Sequence, residues 1–233
     1  MFAMKATARL QVLIAVFALA VLILDAPAQE LTFAPIDEGA QVASWQAYKN
    51  RLLEALETKN RRALMAAIDP NIDNGPESKP GLDEFRRRWD FDQDTSPMWE
   101  ELRKAVSLGG AFVKNAKGRR HFCTPYVAAK WPTTVDPFAY GAITARDVLM
   151  KAEPSSDSET LGRLTHVLVK VDDWEVADKT SGFPQKWTKM RLLDATGYVP
   201  EEHIRSPIEH MACFASDGGP WRLTSFTAGH LPE

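Results

Sequence analysis

A run of acidic residues has the spacing of a calcium-binding loop. Positions 1, 3, 5 and 12 of such a loop would be filled here by Asp90, Asp92, Asp94 and Glu101. Oxygen donors at those positions suit Ca²⁺, but the sixth position calls for glycine and holds Thr95. Ser96-Pro97 explains the same stretch as a helix start, because serine caps free amides and proline suits the first helical position. We therefore predict a helix N-terminus here and no metal site.

No local pattern predicts catalysis. None of the five histidines has a metal-binding spacing with another; they are His121, His166, His203, His210 and His230. No G-x-S-x-G element is present, and neither cysteine has the pattern of a nucleophile paired with a local base. A carboxylate pair for glycoside cleavage is defined by its separation in space, which sequence does not give. We name no catalytic residue and no cofactor.

Composition excludes several classes of protein. The chain has 233 residues, of which 45% are hydrophobic and 25% charged, so it is globular rather than disordered or collagen-like. A net charge of −3 gives no strong basic field, and nucleic acid is not an expected partner. The basic stretches at 86–88 and 114–120 are interpreted as solvated surface among acidic neighbours and as a polar loop.

Residues 1–28 have the features of a secretory signal peptide. Lys5 and Arg9 precede a 15-residue apolar run at 10–24, which is shorter than the roughly 20 residues of a membrane span. Ala26-Pro27-Ala28 then supplies a small-residue cleavage site. The alternative is an uncleaved anchor. The prediction is a periplasmic or secreted protein with no stable membrane span after signal removal.

The first half of the remaining chain predicts helices. Apolar residues recur at spacings of three and four from Trp45 to Leu56, with Ser44 as the expected N-cap. Asn60 can cap a second helix, 71–81 is expected to be a loop, and Leu82 to Trp89 suggest a third helix. The fourth helix starts at Ser96-Pro97 and ends at Gly109-Gly110.

From about residue 111 the pattern favours strands. Residues 121–131 are expected to form a strand, and turn residues separate further short strands. These are expected at 142–151, 161–164, 167–171, 187–192 and 197–200, with a closing hairpin at 210–215 and 221–228.

Residues 142–206 resemble a bacterial SH3-like domain of the SH3b type, which is common in exported and cell-wall proteins. The resemblance rests on the turn at Pro154-Ser155, Leu161-Gly162, Trp187-Thr188-Lys189-Met190, and Gly197-Tyr198-Val199. Glycine permits close backbone approach in a small bent barrel. The family's first-strand triplet is replaced by Val148-Leu149-Met150, and an extra segment at 175–185 separates Trp174 from Trp187. Either tryptophan could take the family role.

Aromatic residues of this region are the candidate binding site. The set is Trp174, Phe183, Trp187 and Tyr198. Exposed rings could bind a peptide by stacking and apolar contact. The alternative is that most of these rings belong to the core.

The rest of the chain resembles, in fragments, the NTF2-like α+β cone. The carrying residues are the helices at 52–68 and the final strand from Gly218 to Phe226. The predicted fold class is therefore α+β, with a helical α+β body at 29–138. An SH3-like barrel at 139–206 follows, and a hairpin at 207–233 returns to complete the body.

The two cysteines test this layout. Cys123 precedes the predicted barrel and Cys213 follows it, and an exported protein with two cysteines most simply pairs them. Pairing requires Cα atoms within about 7 Å, so the two strands would be neighbours. The alternative is two buried free thiols.

The SH3b resemblance implies non-catalytic binding of a peptidoglycan peptide or an envelope protein. A first alternative is an NTF2-like pocket that binds a small molecule or carries acids such as Asp69 or Asp90 for catalysis. A second alternative is a structural module without a small ligand. The oligomeric state is not predicted.

Overall fold

The computed structural model describes residues 31–115, 118–180, 182 and 184–229, so the predicted signal peptide lies outside the described residues. The fold class is mixed α+β, as predicted. The helices are α1 (Ala43–Glu57), α2 (Arg61–Ala67), α3 (Leu82–Arg88), α4 (Met98–Ser107) and α5 (Tyr126–Ala129). Among the described residues, no helix is both long and apolar enough to cross a membrane.

A five-stranded sheet combines the first half of the chain with its end. Its strands are β1 (Ile68–Asp73), β2 (Ala111–Lys114), β3 (Arg120–Thr124), β11 (Met211–Ala215) and β12 (Arg222–Thr227). The order is β1-β12-β11-β3-β2, with only the β1–β12 pair parallel. The predicted return of the C-terminal hairpin to the body is confirmed, because β11 and β12 lie at the centre of this sheet.

Helices α1 to α4 cover one face of this sheet because each buries apolar side chains in a shared core. Trp45 and Leu52 of α1 are fully buried against Phe122 of β3 and Phe214 of β11. The Trp45 ring centroid lies 4.5 Å from that of Phe122 and 4.8 Å from that of Phe214. Interlocked aromatic rings therefore fill the space between helices and sheet.

A seven-stranded sheet occupies the region of the predicted barrel. Its strands are β4 (Tyr140–Ile143), β5 (Val148–Lys151), β6 (Thr160–Leu164), β7 (Leu168–Ala177), β8 (Lys186–Leu192), β9 (Ala195–Pro200) and β10 (Ile204–Arg205). All pairs are antiparallel, in the order β10-β4-β7-β8-β9-β5-β6, with a short 3₁₀ helix at Glu201–His203 before β10. The pairing order is open, with β10 and β6 at its edges. The SH3-like resemblance stays a prediction.

The expected single strand at 142–151 is wrong. β4 ends at Ile143 and β5 begins at Val148, because the chain turns between them. Asp147 adopts a left-handed φ of 53°, and the Thr144 amide leaves β4 to bond the His203 carbonyl. The two strands consequently lie far apart in the sheet order.

Two other expectations need correction. The expected loop at 71–81 begins as strand β1, whose parallel partner β12 is supplied by the end of the chain. The expected strand at 121–131 stops at Thr124, since Pro125 has no amide to continue the ladder and α5 follows. Pairing with a distant strand therefore makes β1 a strand, and the missing amide of Pro125 ends β3.

A separate apolar cluster joins the seven-stranded sheet to helix α5 and the segment that follows it. Phe33 packs on Tyr126 and Trp131, with ring centroids 5.2 and 5.7 Å away. Ala142 of β4 and Leu168 of β7 belong to the same cluster. Phe33, a few residues after the predicted signal peptide, is thus part of the contact between α5 and the seven-stranded sheet.

Candidate functional site

A cleft of roughly 1100 Å³ separates helix α4 from the seven-stranded sheet, and we call it the seam cleft. Residues from α4, the β7–β8 hairpin, the 3₁₀ helix, β10 and the segment before β11 line it. Those that carry charge or can titrate are Glu100, Glu101, Arg103, Lys104, Glu175, Lys186, Glu201, Glu202, Arg205, Glu209 and His210. Segments more than 100 positions apart in sequence therefore supply one polar site.

Helix α4 supplies one wall with charges that are already paired. Its first-turn acids Glu100 and Glu101 suit the positive end of the helix. Glu100 bonds Arg103 at 2.7 Å, and Glu101 contacts Lys104 at 3.3 Å, each at helical i,i+3 spacing. Leu102 and Val106 on the opposite face of α4 are buried in the body core, which fixes this wall.

A carboxylate–imidazole pair connects helix α4 with the segment directly before β11. Glu101 Oε2 lies 3.4 Å from His210 Nδ1. The imidazole packs against both Trp89 and Phe226, with ring centroids 4.9 and 5.2 Å away, and those two rings stack on each other. The hydrogen bond with His210 and then the charge of Lys104 lower the pKa of Glu101 to about 2, against the opposing effect of burial. This wall of the cleft therefore holds a fixed anion.

A buried guanidinium lies at the side of the cleft nearest β10. The Arg205 side chain is only 6% exposed, and its Nη1 lies 3.1 Å from Glu209 Oε2. Nη2 donates to the His210 carbonyl at 2.8 Å. Nε is buried and has no hydrogen-bond acceptor within the described ranges. A buried donor without an acceptor costs free energy, so Arg205 has capacity for one further oxygen partner.

Two carboxylates on the strand side of the cleft lack a cation. The Glu175 amide donates to Glu201 Oε2 at 3.1 Å, which brings the two residues together. Burial raises the pKa of Glu201, and repulsion from Glu175 and Glu209 adds to this rise. Over the part of the chain that the structure describes, neither carboxylate forms an ion pair.

The predicted aromatic site does not form a single exposed cluster. Trp187 is 1% exposed, and its Nε1 donates to Asp178 Oδ2 at 2.8 Å. Its inclusion among the ligand-binding residues is corrected, because a buried ring has no face left for stacking. Trp174 is half-buried against the interior cluster of the seven-stranded sheet, and Tyr198 is half-buried opposite Lys189.

Phe183 lies outside the described residues, so its predicted role stays a prediction. Its neighbour Pro184 is exposed and lines the seam cleft. This part of the extra segment at 175–185 is therefore next to the polar site. The sequence singled out this segment for its aromatic residue, whereas the structure shows it next to charged side chains.

Carboxylates of the acidic run at 90–101 contact arginine and histidine side chains and do not gather around one point as calcium ligands would. Asp92 accepts two hydrogen bonds from Arg86 at 3.0 Å, and Asp94 pairs with Arg61. Glu101 faces His210 instead of Asp90. Within residues 31–115, 118–180, 182 and 184–229, no group of three or more candidate ligands is arranged to hold a metal.

A second groove of roughly 670 Å³ runs between α1 and α4. It shares Glu100, Arg103 and Ser107 with the seam cleft, so the two depressions meet across α4. Trp99 lies at its base with a buried Nε1 that has no acceptor in the described chain. The polar surface on this side of the molecule therefore extends beyond the cleft itself.

Comparisons with known proteins give no relative. A scan of protein-family models finds no match to the chain, and searches of curated proteins and of solved structures also find none. The function has to be argued from the cleft itself.

Proposed function

We propose that this chain is an exported, non-catalytic binding protein of the cell envelope and that the seam cleft is its ligand site. The Cys123–Cys213 disulfide supports an oxidising compartment. The signal-like sequence at 1–28 supports the same destination. A periplasmic or secreted location follows from the two together.

The proposed ligand is a peptide of the cell wall, with a segment of an envelope protein as the alternative. The cleft presents carboxylates on both walls, and basic groups stand beside them. A short peptide carries both charge signs and many carbonyl oxygens, so it complements such a lining better than an apolar molecule or a polyanion does.

The observation that carries the proposal is the unsatisfied Nε of Arg205. The guanidinium is held in place by Glu209 and by the His210 carbonyl, so its orientation does not depend on a ligand. A fixed, desolvated donor gains more from an added acceptor than an exposed donor does. A peptide carbonyl or carboxylate oxygen is the acceptor we propose.

The body core disfavours the NTF2-like pocket. Such a site would need open space between the helices and the five-stranded sheet, where Trp45, Phe122 and Phe214 interlock. Opening that space would expose several large rings. The seam cleft needs no such rearrangement.

Co-sedimentation with purified cell-wall sacculi tests the proposal. The mature chain should pellet, and Arg205→Lys should pellet less because a lysine cannot keep three donor directions. Since Arg205 is buried, Arg103→Gln on the exposed wall of the cleft is a second variant. Arg191→Gln is its matched control, because Arg191 is an equally exposed, ion-paired arginine outside the cleft.

Wild-type and Arg191→Gln chains should pellet equally, with both cleft variants reduced. The proposal fails if the wild-type chain stays in the supernatant while an unrelated wall-binding SH3-like protein pellets. It also fails if the chain pellets but neither cleft variant changes the amount bound.

A further inference from the structure

The two walls of the seam cleft differ in how their charges are balanced. On the α4 wall, Glu100 and Glu101 each have a basic partner within 3.3 Å. On the strand wall, Glu175 and Glu201 form no ion pair in the described part of the chain, and Lys186 is the basic residue nearby. The strand wall thus carries unbalanced negative charge.

We infer that the strand wall of the seam cleft, through Glu201 and Glu175, binds an ammonium group of the ligand. This inference rests on the proposed function and names the chemistry of its ligand. The ligand would be a wall peptide that carries a free side-chain amine.

The geometry favours an organic cation over a metal ion. The contact between Glu175 and Glu201 is a backbone amide to a carboxylate, so one Glu201 oxygen is already directed at protein. A hard divalent cation takes six or more oxygen ligands, which this wall does not gather. An ammonium group needs only two or three acceptors and can share them with water.

Arg205 supplies an independent indication of the same ligand. It lines the same cleft with a nine-tenths-buried side chain and an unpartnered Nε–H. Arg205 Nε lacks an oxygen acceptor in the described part of the chain, whereas Glu175 and Glu201 lack a cationic partner there. All three residues line the same cleft. In a ligand with a free amine and an oxygen acceptor, the amine would pair with the carboxylates and the oxygen would accept from Arg205.

The titration of Glu201 agrees with this assignment. Burial and the charges of Glu175 and Glu209 raise its pKa, which means that its anion is under-compensated in the free protein. A bound ammonium would supply the missing charge. Lys186 lowers the pKa only as the last of the contributions, so it does not already fill this role.

The test uses disaccharide-peptides released from sacculi with a muramidase, either with free amines or after N-acetylation. Calorimetric titration of the mature chain should give an affinity up to about fivefold weaker for the acetylated fragments, as for loss of one ion pair near the surface. Glu201→Gln and Glu175→Gln should weaken binding of the free-amine fragments by a similar factor and should not affect the acetylated ones. Glu159→Gln is the control, since Glu159 is an exposed glutamate outside the cleft, directly before strand β6.

Each outcome decides one statement. Equal affinity for free and acetylated fragments would overturn the ammonium inference and leave the proposed function standing. An effect of acetylation without an effect of either glutamate variant would place the amine elsewhere and overturn the assignment to this wall. No binding of either fragment would overturn the proposed function itself. Thermal melts of all variants, expected to match the wild type, separate these results from misfolding.

Discussion

Cys123 and Cys213 lie directly opposite each other on the adjacent antiparallel strands β3 and β11, with Cα atoms 4.1 Å apart and their sulfurs joined. The bond closes a separation of 90 residues, within which the whole seven-stranded sheet is folded. The prediction of this disulfide from two cysteines is confirmed. The bond fixes the register in which the end of the chain rejoins the first sheet.

Removing this bond should lower stability without changing the fold. Chain-entropy arguments give about 4 to 5 kcal/mol as an upper figure for a loop of this length, so we expect Cys123→Ala/Cys213→Ala to lose about 2 to 5 kcal/mol in urea unfolding. Both side chains are buried, so alanine introduces no polar group. The control is the wild-type chain with reductant, which should show a similar loss. An unchanged midpoint in both would show that the bond does not constrain the unfolded chain.

The Glu101–His210 pair should make the free energy of unfolding fall as the pH is lowered below 4.5. The pKa of Glu101 falls from 4.5 to about 2 in the folded chain, so its contribution is complete above pH 4.5 and is lost as the pH falls towards 2. After allowance for solvent screening we expect about 1 to 2 kcal/mol. Urea unfolding at pH 7, 4 and 3 should show a smaller decline for Glu101→Gln than for the wild type. Parallel declines would show that the pair adds nothing.

The helices could be predicted because their apolar spacing and caps are local in sequence. The disulfide could be predicted because the chain has only two cysteines. The three- and four-residue spacing from Trp45 to Leu56 gives α1, and Asn60 caps α2 by accepting from the Ala63 amide, as predicted. The expected N-cap at Ser44 is wrong, because α1 begins at Ala43 with Val42 as its N-cap, so Ser44 lies inside the helix. Ser44 instead accepts a hydrogen bond from Trp221.

The site could not be predicted, because its residues meet only through tertiary structure. Glu101 and His210 are 109 positions apart, and no motif surrounds either one. Strand β1 was missed for a similar reason, since its only partner comes from the end of the chain. Trp187 was misassigned because its position in the sequence does not reveal that the ring is buried and that its Nε1 bonds Asp178.

His121 should become protonated at a lower pH than a free histidine does. Thr224 Oγ1 donates to the Cys213 carbonyl at 3.0 Å, so it accepts from Nδ1–H of His121 at 3.1 Å. Nε2 then accepts from the Asn115 amide nitrogen at 3.1 Å. Burial, followed by repulsion from Arg119, lowers the pKa of His121 below its usual 6.5.

Because the folded pKa is the lower one, this stabilisation is complete above pH 6.5 and is lost as the pH falls through the folded value. At pH 6.5, where a free imidazole is half protonated, nitrogen-15 spectra should show His121 mostly as the Nδ1–H tautomer. A His121 imidazole that is mostly protonated at pH 6.5 would contradict the assigned network.

Trp187 should act through stability rather than through binding. Its ring is fully buried and its Nε1 bonds Asp178, so Trp187→Ala should lower the free energy of unfolding by about 3 to 5 kcal/mol. Trp187→Phe keeps an aromatic ring and loses only the donor, so its loss should be smaller. Because the phenylalanine variant leaves the seam cleft intact, it should pellet with sacculi as the wild type does. A phenylalanine variant that is as stable as the wild type but no longer pellets would return this residue to the binding site, since burial could not then explain its effect.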